Sequence, residues 1–432
     1  MSNLLENNKA RRILFIVIIL IPSLILAINY LPAFTQFYNE ISQTPYLYQS
    51  DDNGLRIELF ADGLAQPTSM TFVGKDTILV LEKDTGMVRV VNNGILENDS
   101  VLSARVDPKA ERGLLGIDVL KMGAKNDDYV FIYLTERTNE EYDVRNRVYR
   151  YNWNGTNLSH PVTLLDLPGE PGPYHNGGKI KIGPDNQLYV VIGDLTNPST
   201  ILQNHVLDSD SGPNNTSVIM RINPLSGNPS PNNPFINQSQ NDSSSLDYYY
   251  AYGIRNSFGL SFDPVTGNLW DTENGEDKFD ETNLVKPGFN SGWYKIMGPL
   301  SRNENFSKND LVMLNKSYYS DPKFSWAKPI GVTDLEFYNS SRLGDKFSNN
   351  IFIGDINNGN LYFFKVDENR TGIKIDSPAS GLTDSIADPQ DDLSPALFAR
   401  GFSGRISDIE TGPDGYIYVL TYSDGRIYRI VK

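Results

Sequence analysis

The chain has 432 residues, no cysteine, three histidines and a formal net charge of -15, with 39% hydrophobic residues including 24 Tyr and 20 Phe. That length and apolar content suffice for a large globular core, while the missing thiols exclude a disulfide framework, thiol catalysis and thiolate metal sites, leaving oxygen and imidazole as metal donors. The acidic balance, with no Lys/Arg cluster in the body of the chain, argues against a nucleic-acid partner.

In chain order, the first feature is an apolar run. Lys9, Arg11 and Arg12 precede ILFIVIILIPSLILAINYL, residues 13–31, which carries no charge. Its length is close to the roughly 20 residues that cross a bilayer as helix. The basic flank predicts a cytoplasmic N-terminus and an exported body. No small-x-small cleavage site follows the run, so an uncleaved anchor is expected over a removed signal peptide. Residues 1–35 are assigned to this anchor or signal segment. Sequons such as those at Asn98 and Asn154 agree with export. Residues 36–52 show no period and read as a tether.

From 53 to 432 the texture is uniform. Short runs of Val, Ile, Leu, Tyr and Phe alternate with Gly, Asn, Asp and Pro turns, and no long stretch has helical periodicity. IKIGPDNQLYVVIGD, LSFDPVTGNLWDTENG and IETGPDGYIYVLTYSDGRIYRIV each combine an apolar strand, a Pro/Asp/Gly turn and a second apolar strand. Looser copies bring the repeats to six. Repeats of about 40 to 50 residues with four strands each mark a β-propeller. The expected fold is therefore all-β, a six-bladed β-propeller with an N-terminal transmembrane helix. Residues 196–250, rich in Asn, Ser and Pro, are expected to form long loops over one face.

Propellers carry function on the loops around the central channel. In PGPYHNGGKIKIGPDNQLYVVIGD, residues 171–194, His175 stands before Asn176, Gly177 and Gly178, and Asp194 ends the following strand. Paired glycines admit a ligand close to the backbone, and Asp194 is suited to orient an imidazole that accepts a proton; the alternative is a histidine that merely caps a loop. Arg255 and Asn256 precede a strand, where donors face developing negative charge; the alternative is a surface salt bridge. Asp271, Glu273, Glu276, Asp277, Asp280 and Glu281 then crowd around Asn274 and Gly275. Such oxygen density suits Ca²⁺, although the spacing is not that of an EF-hand, and a solvated acidic loop is the alternative.

Taken together, these motifs resemble the soluble glucose dehydrogenase and aldose sugar dehydrogenase family, six-bladed propellers that use pyrroloquinoline quinone and Ca²⁺. The segments that carry the likeness are ERGLLGID (111–118), YHNGGKIKIGPDNQLYVVIGD, SVIMRINPLSGNPSPNNPF (217–235), GIRNSFGLSFDPVTGNLW, DETNLVKPGFNSGW and GRISDIETGPDGYIYVLT, in the family order.

By position, the resemblance implies that His175 is the general base for a sugar C1 hydroxyl, oriented by Asp194. Arg255 would stabilise charge on the reduced cofactor, and Asn256 would hold its edge. Glu111 falls near the sugar, and Arg405 matches one of two arginines that pair with cofactor carboxylates. Carbonyls of Gly275 and Glu276 would bind the catalytic Ca²⁺, while Glu281 and the Ser291 carbonyl match a second, structural site. Two family cations are replaced, one by Ser407 and one by Asn357, with Lys179, Lys328 and Arg400 as candidate substitutes. The implied function is a membrane-anchored, extracytoplasmic quinoprotein that oxidises an aldose sugar or oligosaccharide at C1 and passes electrons to an external or membrane acceptor. The alternative is a non-catalytic surface propeller that binds carbohydrate or protein.

Overall fold

The structure is a computed structural model that describes residues 44–48, 54–123, 128–138, 143–197, 200–205, 213–238, 244–375, 382 and 384–432. The apolar run 13–31 lies outside the described residues, as does most of the tether. Among the described residues no helix is long and apolar enough to cross a membrane.

Six sheets follow one another along the chain. Their innermost strands are Pro67–Phe72, Leu114–Leu120, Ile180–Ile182, Ser257–Phe262, Val332–Phe337 and Ile406–Thr411. Each packs on the next, and the sixth packs on the first, so the innermost strands close a ring. The last sheet is built from both ends of the body: Arg56–Ala61 pairs antiparallel with Arg426–Val431. This is an all-β propeller.

The cores explain why the sequence reads as it does. Apolar side chains fill the seams between neighbouring sheets. Phe131, Tyr133 and Val148 of the second sheet meet Val190, Val218 and Met220 of the third. Trp270 and Trp326 of the fourth meet Leu335 and Ile353 of the fifth. A second strand such as Leu188–Ile192 is covered on both faces and is buried along its whole length, which produces an unbroken apolar run instead of an alternating one.

Two segments differ from the sequence reading. Residues 196–250 are not loops throughout, because Val218–Ile222 and Tyr249–Tyr252 complete the third sheet; their short apolar runs are embedded in Asn- and Ser-rich sequence that hides the strand pattern. In the tether, Tyr46–Leu47 adds an outer strand to the fifth sheet. The Arg400 guanidinium lies 5.1 Å from the Tyr46 ring and 4.6 Å from the Tyr48 ring, a cation–π clamp that favours this pairing.

Candidate active site

The six innermost strands begin around one mouth of the ring axis. Thr68, Leu115, Lys179, Phe258, Thr333 and Ser407, one from the start of each, line a cavity of about 310 Å³. That lies at the lower end of the roughly 300–1,000 Å³ usual for small-molecule sites. Glu111, Lys83 and Arg405 reach the same cavity.

His175 sits beside this mouth in the left-handed backbone region, with φ 60°. Its N–H donates to Glu111 Oε2 at 2.7 Å. Gly177 is also left-handed and donates its N–H to Asn256 Oδ1 at 3.1 Å; a Cβ there would lie 2.8 Å from the Val191 carbonyl oxygen. The loop therefore turns where the sequence places its glycines.

The imidazole Nδ1 of His175 is 2.6 Å from Asp194 Oδ1. Asp194 is buried, and its Oδ1 also accepts from the Thr196 N–H at 2.7 Å while Oδ2 accepts from the Trp293 indole N–H at 2.7 Å. A carboxylate so placed accepts a hydrogen bond from the Nδ1–H of histidine and leaves Nε2 with its lone pair, the tautomer of a proton acceptor. Gly193 separates this loop from the next: a Cβ would come within 2.4 Å of the His175 carbonyl oxygen and 2.5 Å of that of Arg255. The Arg255 carbonyl in turn accepts from the Asp194 N–H at 2.9 Å, so backbone sets the register of the two loops.

The Arg255 guanidinium donates to the Asn274 carbonyl at 3.0 Å and lies 5.2 Å from the centre of the Trp293 ring. Its buried Nε has no hydrogen-bond partner among the described residues. Burial pulls the pKa of Arg255 down, against the opposing pull of Asp194, Glu276, Glu111 and Asp280. Asn256 donates to Glu111 Oε2 at 3.3 Å, so Glu111 ties the histidine loop to the Arg-Asn strand.

The cations around the cavity differ in how free they are. Lys179 is buried against Asp334 at 2.9 Å and against Asp408. Burial lowers its pKa, but the two carboxylates outweigh that effect and hold it above the usual lysine value. Lys83 is bound to Asp84 and to the carbonyls of Ala110 and Arg112. Arg405 is exposed, and its guanidinium forms no hydrogen bond or ion pair among the described residues. The Ser407 hydroxyl donates to the Pro67 carbonyl at 2.8 Å. Asn357 is exposed beside Gly331, Lys328 is exposed, and Arg400 is clamped by tyrosines at the outer edge of the fifth sheet. Of the candidate substitutes, Lys179 is neutralised and Arg400 is far along its sheet from the axis.

The acidic residues sort into two groups. Glu276 and Asp277 are exposed on the loop. Asp280 is a clamp: Oδ1 accepts from the Gly275 N–H at 3.0 Å, and Oδ2 accepts from the N–H groups of Ile330, Gly331 and Val332. Asp271, Glu273 and Glu281 form a buried cross-strand group in which Glu273 faces Glu281 and Asp271 faces Asn283. Ser291 Oγ donates to Glu273, which places the predicted pair Glu281 and Ser291 on one carboxylate cluster. Neither oxygen of Asp271 has a hydrogen-bond partner among the described residues. Burial, reinforced by the neighbouring carboxylates, raises the pKa of all three acids well above the usual range. Among the described residues no three or more His, Asp or Glu side chains converge into a preformed metal cage.

The sequence alone passed over Trp293. It stands in NSGWY two residues after the predicted Ser291, but its partner Asp194 is 99 positions away, and only the folded loops bring them together.

Comparison with known proteins fits this architecture. The family model of glucose/sorbosone dehydrogenases matches residues 64–429. An uncharacterised protein of Synechocystis is 27% identical over 410 residues, 91% of this chain and 91% of that protein. Quinoprotein glucose dehydrogenase B of Acinetobacter calcoaceticus is 28% identical over 265 residues, 56% of this chain and 52% of its own, so this match spans about half of that relative. The crystal structure of a candidate oxidoreductase (glucose dehydrogenase) from Thermus thermophilus superposes with a TM-score of 0.66 at 26% identity, covering 88% of this chain and 100% of that one. The chain belongs to the glucose/sorbosone dehydrogenase family of oxidoreductases.

Proposed function

We propose that the protein is a membrane-anchored, extracytoplasmic quinoprotein that oxidises aldose sugars at C1, with the six sheets acting as six blades around the site. The observation that carries this reading is the His175–Asp194 pair, tied through Glu111 to the lining of the axial cavity and through backbone to the Arg255 loop.

Pyrroloquinoline quinone, when bound, supplies the hydride acceptor. The residues fit such a group in two respects. The cavity is of ligand size and carries the unpaired Arg405 guanidinium, suited to a carboxylate, and Arg255 keeps a buried Nε without a partner. Arg405, Arg255 and the second N–H of Asn256 would hold it. The carbonyls of Gly275 and Glu276 would hold a Ca²⁺, which would supply Lewis-acid polarisation. Glu281 and the Ser291 carbonyl would hold a second, structural Ca²⁺, a reading supported by the buried Asp271 carboxylate, which has no hydrogen-bond partner among the described residues.

The chain's own chemistry is proton handling. Asp194 holds the Nδ1 proton of His175, and Nε2 takes the proton of the sugar C1 hydroxyl as hydride leaves C1. The imidazolium so formed is stabilised by the buried Asp194 carboxylate. Arg255 offsets the negative charge that develops opposite the histidine, with a guanidinium desolvated enough to act strongly.

Turnover of aldoses by the purified protein with the quinone, Ca²⁺ and an artificial electron acceptor tests the reading; absence of both turnover and quinone reduction defeats it. That result would favour a binding propeller, a reading supported by the engaged state of Lys83, Lys179 and Ser407. Anchoring rests on residues 13–31 and their basic flank. Protease added to intact cells should digest the body, and recovery of full-length protein from cytosol would contradict it.

A further inference from the structure

We infer that Trp293 is a positioning residue that sets the proton acceptor and the cationic group relative to each other: its indole N–H fixes Asp194, and through it His175, while its ring faces Arg255. This inference rests on the proposed role of His175.

Asp194 has three donors, the His175 Nδ1–H at 2.6 Å, the Thr196 N–H at 2.7 Å and the Trp293 Nε1–H at 2.7 Å. The first two share Oδ1, so among the described residues Trp293 alone holds Oδ2 and fixes the rotation of the carboxylate plane. Without it Asp194 is free to turn about its last torsion, which is soft, and the imidazole loses its reference.

The tryptophan is itself held by backbone. Its N–H donates to the Gly253 carbonyl at 3.1 Å, and its carbonyl accepts from Asn204 Nδ2 at 2.8 Å. Asn204 and Asn290 exchange amide hydrogen bonds at 3.0 and 2.8 Å, all buried. A side chain anchored in this way delivers its N–H with little rotational freedom.

The indole bond is not simply what burial demands in this protein. Trp270 and Trp326 are more deeply buried, yet their indole N–H groups have no partner among the described residues. Trp293, at 8% exposure, is placed on the carboxylate that meets the His175 imidazole and against the Arg255 guanidinium. A desolvated aromatic face attracts a guanidinium, so a single ring limits the motion of both polar groups.

The test uses the full chain, which has only three histidines. With histidine labelled in its ring nitrogens, the Nδ1–H resonance of His175 reports the hydrogen bond to Asp194 without any turnover. Trp293→Phe keeps a ring under Arg255 and removes the N–H. It should shift that resonance and lower kcat by about ten- to hundredfold, the usual cost of losing an orienting partner, with a much smaller change in KM. Asp194→Asn should shift the resonance too, and adding Trp293→Phe to it should change kcat no further. Site-specific replacement of Trp293 by benzothienylalanine, which keeps the bicyclic shape and removes only the N–H, must reproduce the phenylalanine result and replaces it if that variant does not fold. A folded variant with unchanged resonance and kcat overturns the inference, as do additive losses in the double variant. If the wild-type protein turns over no sugar while the resonance shifts as described, the positioning of Asp194 by Trp293 stands and the sugar-oxidation reading falls.

Discussion

His175 Nδ1 and Asp194 Oδ1 lie 2.6 Å apart, and the acid is almost wholly buried while the imidazole keeps 14% of its side chain exposed. The pair thus joins a screened charge to a group that a ligand can reach. Replacing His175 by Ala should lower kcat by about a hundred- to ten-thousandfold, the contribution of a positioned general base. Asp194→Asn should approach the same loss, because an amide no longer selects the tautomer with a free Nε2. Thermal stability of His175→Ala should stay close to wild type, since little apolar packing is lost. A kcat within threefold of wild type for His175→Ala would remove the histidine from the mechanism.

Calcium dependence is checked by melting. A ligand that binds only the folded state stabilises it, by about 2.7 kcal/mol when its concentration is a hundred times Kd. Calcium should therefore raise the Tm of the wild-type protein. Asp271→Asn and Glu281→Gln should each remove most of that rise, because both belong to the buried carboxylate group. An equal calcium response in wild type and both variants would leave these acids without a metal role.

How much of this was readable without coordinates depends on the residue. The strand-turn-strand repeats imply sheets because a strand between two cores must be apolar on both faces, as Leu188–Ile192 is. His175, Asp194, Arg255 and Asn256 stand out because polar residues interrupt that pattern beside glycines, and the structure brings all four into one hydrogen-bonded set through Glu111 and the 193–194 turn. Trp293 was not readable, since its chemistry comes from a partner on another loop. Nor was the state of Lys179, because a lysine in sequence does not disclose the two buried aspartates that neutralise it. The strands at 218–222 and 249–252 were masked by the polar residues around them.

The pH dependence of stability should show the buried Asp355. It ends the strand Ile351–Asp355, is 0% exposed, and burial pushes its pKa up to about 6 despite hydrogen bonds from Asn358, Tyr362 and Gly359. An unfolded aspartate titrates near pH 4, so the folded state holds the proton more tightly. This contribution to stability is complete below about pH 4 and is lost as pH rises through about 6, a change of roughly 3 kcal/mol for two pKa units. Asp355→Asn cannot titrate. Urea unfolding followed from pH 4 to 7 should show a shallower fall in the variant than in wild type, and identical slopes would contradict the assignment.

Cofactor affinity should depend on Arg405. Its guanidinium borders the cavity and has no partner among the described residues, whereas Lys83 and Lys179 at the same cavity are bound to carboxylates. A charge-assisted hydrogen bond contributes about 1.5–3 kcal/mol, which corresponds to roughly ten- to hundredfold in Kd. Arg405→Ala should weaken quinone binding by that factor, read from the cofactor's absorbance, yet leave kcat at saturating quinone near wild type because His175 and Asp194 are untouched. Ser407→Lys offers the opposite test. Its hydroxyl now serves only the backbone carbonyls of Pro67 and Leu420, so a lysine there adds a free cation to the cavity wall and should tighten binding of an anionic quinone. Tighter binding in Ser407→Lys together with weaker binding in Arg405→Ala would identify ligand carboxylates as the groups recognised; no change in either would mean that this mouth of the axis is not where the quinone sits.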